Sequence, residues 1–216
     1  MSQNSFKFQT KQFTIQYSDS VFHFFHPSDL DELINRISDE QALKDKYQPY
    51  WIEHWPSSEV FFKYLMELKF TKRLKILEIG CGLGTLSTAL LAKGQDVYSI
   101  DISPDACKYC HANIVNNDFP PRVFCADLNT LPTMKKFDLI IASDLLYEDR
   151  MCGQLLNAFD TLVNSDTRIW IADPCRRGWN LFKSEAQKRY YSFQTLHYHK
   201  SKSSVNVEII ELKKLI

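Results

Sequence analysis

Eight residues, Leu77-Glu78-Ile79-Gly80-Cys81-Gly82-Leu83-Gly84, constrain this chain more than any other segment. A short apolar run from Lys75 to Ile79 ends in Glu-x-Gly-x-Gly-x-Gly and passes at once into a helical pattern. The next apolar run ends on an acid, Asp101. This reads as a strand, a glycine-lined turn, a helix, and a second strand whose tip carries a carboxylate. A doubly wound α/β sheet uses that layout to hold a nucleoside-bearing cofactor at its carboxyl edge.

The rest of the chain repeats the alternation. Strands are expected at 75–79, 96–101, 122–126, 137–142 and 168–173, with helices at 84–93, 104–116, 149–164 and 179–190. Gly94 is placed to end the first of these helices, and Ser103-Pro104 to begin the second. Tyr191 to His199 and Val205 to Leu212, joined by the polar stretch Lys200 to Ser204, read as adjacent strands with no helix between them. The expected fold is α/β: a doubly wound, mostly parallel, seven-stranded Rossmann-like sheet with an antiparallel C-terminal hairpin. Upstream, Phe6, Phe8, Phe13, Ile15, Tyr17, Phe22 and Phe24 alternate with polar residues, suggesting two or three short antiparallel strands, and Ser28 to Arg36 suggests a short helix. Residues 1–48 are thus expected as a β-rich extension packed on a main domain at 49–216. A helix with apolar face Val60, Phe61, Tyr64, Leu65 and Leu68 follows Pro56, which suits a first turn.

Composition excludes several classes. Lys plus Arg and Asp plus Glu both total 26, so the net charge is zero, which argues against a chain built to grip nucleic-acid backbone. No charged-then-apolar leader and no span-length apolar stretch is evident, so a cytoplasmic chain that makes no use of a membrane is expected. The six cysteines are then expected as free thiols. Cys107-x-x-Cys110 has no second cysteine pair or histidine at ligand spacing, and no metal is expected.

The glycine spacing bears on the cofactor. A nicotinamide fingerprint wants its third glycine where this chain has Thr85, and a pyrophosphate at the helix start would be opposed by Glu78. S-adenosylmethionine carries no phosphate, but a sulfonium and an ammonium, for which a nearby carboxylate is favourable. Asp101 would accept hydrogen bonds from ribose hydroxyls with either cofactor. Asp127, ending the third strand, lies where an adenine amino group would sit. A ligand-free turn would explain the glycines alone, but not three acids at successive strand ends.

With these residues in place, the chain resembles the class I, seven-β-strand S-adenosylmethionine-dependent methyltransferases. Within them it is similar to the protein-lysine methyltransferase group that includes the electron-transfer-flavoprotein β-subunit enzyme and bacterial relatives. The likeness runs from about Tyr50 to Arg177 and rests on Pro49-Tyr50-Trp51, Trp55-Pro56-Ser57, the glycine turn, Asp101, Ser143-Asp144-Leu145-Leu146-Tyr147-Glu148 and Asp173-Pro174. It implies cofactor contacts from Glu78, Gly80, Cys81, Gly82, Gly84, Asp101 and Ile102. Asp127, Leu128 and Ser143 would flank the adenosine, and Trp55 would cover the site. Asp144 and Tyr147 would line the acceptor side as the catalytic pair. One departure stands out: relatives often have glycine after Asp-Pro, where this chain has Cys175, and losing it restricts the turn.

On the acceptor side, methyl transfer is an in-line displacement in which positioning supplies much of the gain. A lysine acceptor must lose a proton from an amine of pKa about 10.4 and be aimed by hydrogen-bond acceptors. Asp144 and Tyr147 suit that task; the plainer readings are a helix or turn cap for Asp144 and simple packing for Tyr147. Arg176 and Arg177 could meet an acceptor carboxylate or lie in a solvated turn. The expected acceptor is a protein amine. A small-molecule N- or O-methyltransferase and a non-catalytic binding module remain the alternatives. A nucleic-acid base is disfavoured, because the segment after the fourth strand lacks the Asn/Asp-Pro-Pro-Tyr pattern.

Overall fold

The computed structural model describes residues 9–29, 49–132, 136–201 and 205–215. Phe6, Phe8 and nearly all of the helix expected at 28–36 lie outside these. Thr10–Tyr17 (β1) and Ser20–Pro27 (β2) form one antiparallel hairpin in which Tyr17 faces Ser20 and Thr10 faces Pro27.

Seven further strands make the main sheet: Lys75–Ile79 (β3), Asp96–Asp101 (β4), Val123–Cys125 (β5), Leu139–Ser143 (β6), Arg168–Asp173 (β7), Tyr191–His199 (β8) and Val207–Lys214 (β9). Their order is β5-β4-β3-β6-β7-β9-β8. All pairings from β5 to β7 are parallel, and β9 runs antiparallel between β7 and β8. The helices are Pro56–Glu67 (α1), Thr85–Ala92 (α2), Pro104–Asn116 (α3), Asp149–Leu162 (α4) and Arg177–Lys188 (α5). The doubly wound expectation holds, including the terminal hairpin.

Alternation along the central strands builds the two layers. Ile76, Leu139, Ile141, Trp170 and Ala172 face a core closed by Phe61, Phe62 and Leu65 of α1 and by Leu86, Ala89 and Leu90 of α2, with Phe22 and Phe24 of the hairpin. Leu77, Ile79, Ile140 and Ile171 face the opposite core, closed by Leu155, Leu156 and Phe159 of α4 and Phe182 of α5. Pro56 opens α1. Ser103 caps α3, its hydroxyl accepting from the Ala106 N–H at 3.2 Å. Gly94 has φ +75, the left-handed turn past α2.

Several element ends shift by one or two residues from expectation, and two of these shifts bear on the site. β5 stops at Cys125, leaving Ala126 and Asp127 in the loop beyond it. Helix α5 begins at Arg177 instead of Trp179, with Gly178 inside its first turn. Glycine there reads as a turn, but a Cβ on Gly178 would sit 2.9 Å from the Leu146 backbone oxygen. The residue serves close packing of α5 on the loop after β6. The strand order reverses between β3 and β6, so their carboxyl ends open a crevice at that switch point.

Candidate active site

The crevice is walled by the segments that leave the carboxyl ends of β3, β4, β5 and β6, and roofed by residues 50–58. Of the residues expected to bind cofactor, Trp55, Glu78, Gly80, Cys81, Gly82, Asp101, Ile102, Asp127, Leu128 and Ser143 all line it, as do Asp144 and Tyr147. Gly84 does not. It has φ +79 at the start of α2, and a Cβ there would meet the Cys110 sulfur at 2.8 Å, so its bareness lets α2 approach α3.

The glycine turn is tied to the sheet from below. The Gly80 and Cys81 N–H groups both donate to the Ile100 carbonyl, at 2.8 and 3.0 Å. Gly82, at φ +49, donates its N–H to Asp101 Oδ2 at 3.0 Å, while the Ser103 N–H donates to Oδ1 at 2.9 Å. Each Asp101 oxygen thereby keeps acceptor capacity for a second donor, the arrangement a vicinal diol requires. Burial raises the Asp101 pKa, with the Ser103, Gly82 and Ile102 N–H groups pulling the other way. Asp127 caps the short 3-10 turn Leu128–Thr130, accepting from the Asn129 N–H at 2.9 Å.

Glu78 is 3% exposed. Its carboxyl receives the Ser87 hydroxyl of α2, which in turn lies 2.5 Å from the Ser99 hydroxyl of β4. Burial pushes its pKa up to about 8 despite the Ser87 bonds. No lysine lines the cleft among the described residues, and its one arginine, Arg150, pairs with Glu148 away from the glycine turn. The glycine turn has no lysine or arginine facing it among the described residues. A pyrophosphate finds no cationic partner there, whereas a ribose diol suits the Asp101 carboxylate.

The acceptor half lies between the 50–58 segment and residues 143–154. Asp144, 7% exposed, has φ +59, a conformation short polar side chains tolerate. Its Oδ2 accepts from the Ser143 hydroxyl at 3.0 Å, and the Arg176 guanidinium lies 3.3 Å from Oδ1. Oδ1 is nonetheless buried without a hydrogen bond. Burial raises the Asp144 pKa, opposed by Arg176, Ser143 and the start of α1 at Ser57 and Ser58. Arg176 also stacks over the Trp55 ring at 5.4 Å and reaches Asp173 at 3.9 Å. It therefore lies in a polar knot that joins β6, β7 and α1, where a solvated turn was one expectation.

Residues 144–148 form a loop before α4, so Tyr147 follows Asp144 through irregular chain and not along a helical turn. Its ring packs against Tyr50 with centroids 4.7 Å apart at the mouth, and burial pushes its pKa up to about 12. The phenol therefore stays neutral at physiological pH.

Sequence reasoning missed several cleft residues. His54 is half-buried in the wall and stacked on Phe13 at 4.9 Å, with both ring nitrogens buried and unbonded. Desolvation lowers its pKa, which keeps the ring neutral. Glu53 and the first turns of α4 (Arg150, Met151 and Gln154) also face in. Nothing in their local pattern marks them; packing of the 50–58 segment across the crevice brings in Glu53 and His54, and the docking of α4 on the sheet brings in the other three.

The family described as the methyltransferase domain matches residues 70–213, and the chain belongs to it. Its fold is that of the class I S-adenosylmethionine-dependent methyltransferases. The ribosomal protein L11 methyltransferase of Helicobacter hepaticus is 28% identical over 139 residues, which cover 59% of this chain and 42% of that protein. The chain thus spans less than half the length of that curated relative. Among solved structures, the ribosomal protein L11 methylase of Lactobacillus delbrueckii subsp. bulgaricus superposes with a TM-score of 0.60 at 18% identity, over 76% of this chain and 81% of that one. The magnesium protoporphyrin IX methyltransferase of Synechocystis PCC 6803, solved with S-adenosylmethionine bound, gives 0.59 at 16% identity, over 87% and 98%. Membership of the family makes S-adenosylmethionine the cofactor of this methyltransferase.

Proposed function

We propose that this chain is a methyltransferase that transfers a methyl group from S-adenosylmethionine to an amine on a protein, a lysine side chain in particular. The observation that carries the acceptor assignment is the Asp144 carboxylate, held in the cleft wall by Ser143 and Arg176 with Tyr147 lining the same cleft. An amine N–H entering the cleft would donate to it. The aromatic mouth formed by Tyr50 and Tyr147, with Glu53 at the rim, suits the approach of a cationic side chain. The relative that acts on ribosomal protein L11 supports a protein acceptor.

When bound, the cofactor supplies a methyl group on a positively charged sulfur. The chain's own residues do the rest by binding and aiming. Asp101 would accept the ribose hydroxyls, and Gly80 and Gly82, both at positive φ, shape the turn beside it, Gly80 leaving room for Leu145. Glu78, Cys81, Ile102, Asp127, Leu128 and Ser143 complete the cofactor wall. Trp55 and Tyr50 keep water from the reacting atoms, while Asp144 and the neutral Tyr147 phenol turn the lone pair of the amine toward the methyl. The amine proton leaves to solvent through the mouth, assisted by desolvation of the ammonium.

Incubation of the purified chain with radiolabelled S-adenosylmethionine and a cell extract tests this. Label is expected in a protein band, in acid-stable form at lysine. Label confined to the small-molecule fraction would transfer the assignment to a small N- or O-acceptor. Absence of label, together with no thermal shift from S-adenosylhomocysteine, would leave a binding module without turnover.

A further inference from the structure

The β1–β2 hairpin lies outside the residues matched by the methyltransferase family, yet it is bonded to the cofactor loop through one buried side chain. Asn113, in the last turn of α3, has no exposed surface. Its Oδ1 accepts from the Phe25 N–H at 2.7 Å, and its Nδ2 donates to the Phe25 carbonyl at 2.9 Å. The second Nδ2 hydrogen donates to the Leu83 carbonyl, also at 2.9 Å. Leu83 is the residue between Gly82 and Gly84 of the cofactor turn.

One helical turn on, Asn117 grips β2 in the same manner. Its Oδ1 accepts from the His23 N–H at 2.9 Å and its Nδ2 donates to the His23 carbonyl at 2.7 Å. The i to i+4 rise of a helix, about 6 Å, matches the i to i+2 rise of a strand, about 6.7 Å. The two amides therefore act as a short surrogate strand against the outer edge of β2. They differ in one respect. Asn117 spends its second hydrogen on its own helix, at the Asn113 carbonyl, while Asn113 spends its second on the glycine turn. Phe13 and Phe25 of the hairpin also pack with Leu83, Ile52 and Tyr109 beside the same loop.

We infer that Asn113 is a positioning residue for the glycine turn, and that through it the N-terminal hairpin forms part of the cofactor-binding unit. This rests on reading the cleft as the S-adenosylmethionine site. A carbonyl fixed at Leu83 orients the Leu83–Gly84 peptide plane, so the turn between Gly82 and the start of α2 is held in one geometry.

Amide hydrogen exchange on the ligand-free chain tests it. Asn113→Asp keeps the acceptor for Phe25 but loses both donors. It is expected to speed exchange at Gly82 and Gly84 by about tenfold. Asn117→Asp loosens the same hairpin and should leave those two amides unchanged. The Kd for S-adenosylhomocysteine should follow, rising about tenfold in the first variant and less than about twofold in the second. Equal exchange at the turn in wild type and Asn113→Asp, or equal acceleration in both variants, overturns the inference. If Asn113→Asp does not fold, the wild-type chain decides. S-adenosylhomocysteine should then protect the Phe25 amide more than the His23 amide, and equal protection overturns the inference. Failure of wild type to bind S-adenosylhomocysteine would sink the cofactor reading instead, while turn exchange in the ligand-free variants still decides the role of Asn113.

Discussion

Asp144 and Cys175 both adopt left-handed backbone, with φ +59 and +58, on neighbouring strand exits. For Asp144 the conformation is tolerable, because a short polar side chain can bond locally, and it turns the carboxylate toward Arg176 and the start of α1. The same carboxylate is proposed to aim the amine, so its two duties are separable by substitution. Asp144→Asn keeps the shape and an acceptor oxygen but loses the charge. It is expected to lower kcat by about a hundredfold or more while leaving the Kd for S-adenosylhomocysteine within about twofold. Near-normal kcat would reduce Asp144 to a cap on α1. Cys175 has no such compensation. It occupies the position where relatives often carry glycine, and the positive φ confirms that a glycine-favouring turn is retained without the glycine. Cys175→Gly should raise the unfolding free energy by about 1 kcal/mol, the relieved strain exceeding the added chain entropy. Urea denaturation measures this, and a loss of stability would contradict the strain argument. The departure at 175 was legible in the sequence; its backbone conformation was not, because the turn is set by how β7 and α5 meet.

Among the elements, α5 and the loop after β6 meet through Gly178, where a Cβ would press on the Leu146 backbone at 2.9 Å. Backbone cannot move aside as a flexible side chain can. Gly178→Ala is expected to destabilise the fold by about 1–3 kcal/mol. Because Arg176 caps this helix and reaches Asp144, the same change should depress kcat. Unchanged stability in urea would show that the helix has room to shift. The α5 start was misplaced by two residues for this reason: a glycine beside a polar run looks like a turn, and only the neighbouring loop reveals a packing role. By contrast α1, α2 and α3 have their starts written locally, in Pro56, Gly84 and Ser103-Pro104. Such signals are short-range and survive without tertiary information.

For the molecule as a whole, buried carboxylates set the pH response. Glu78 is pushed up to about 8 and Asp173 to about 6, both by burial first, and Asp101 and Asp144 are raised as well. Below the ordinary carboxylate range all are protonated in both states and cost nothing. As pH rises from about 4.5 the unfolded chain releases these protons while the native one retains them, so stability falls until Glu78 ionises near pH 8. Glu59, Asp160 and Glu208 have lowered values and act the opposite way, losing stability as pH drops through the acid range. The lowered His26 and His54 values add stability up to about pH 6.5, so the net loss in the ligand-free chain should fall between about pH 6.5 and about pH 8, where only the raised carboxylates act. Glu78→Gln should flatten that decline. Urea midpoints at about pH 5, about pH 6.5 and about pH 8 decide it; an undiminished slope in the variant would remove Glu78 as the cause.

The doubly wound sheet, the glycine turn and the acids at successive strand ends were determined by sequence alone. Period-two and period-3.6 hydrophobic patterns, glycine spacing and proline placement are local properties of the chain. What faces the turn was decided only by tertiary structure. The packing of residues 50–58 brought His54 and Glu53 into the cleft, Arg176 was folded back onto Asp144 and Trp55, and Asn113 was buried between hairpin and turn. Each of these joins residues far apart in the chain. Whether such side chains meet depends on the closing of the two layers around the sheet, which no short stretch of sequence encodes.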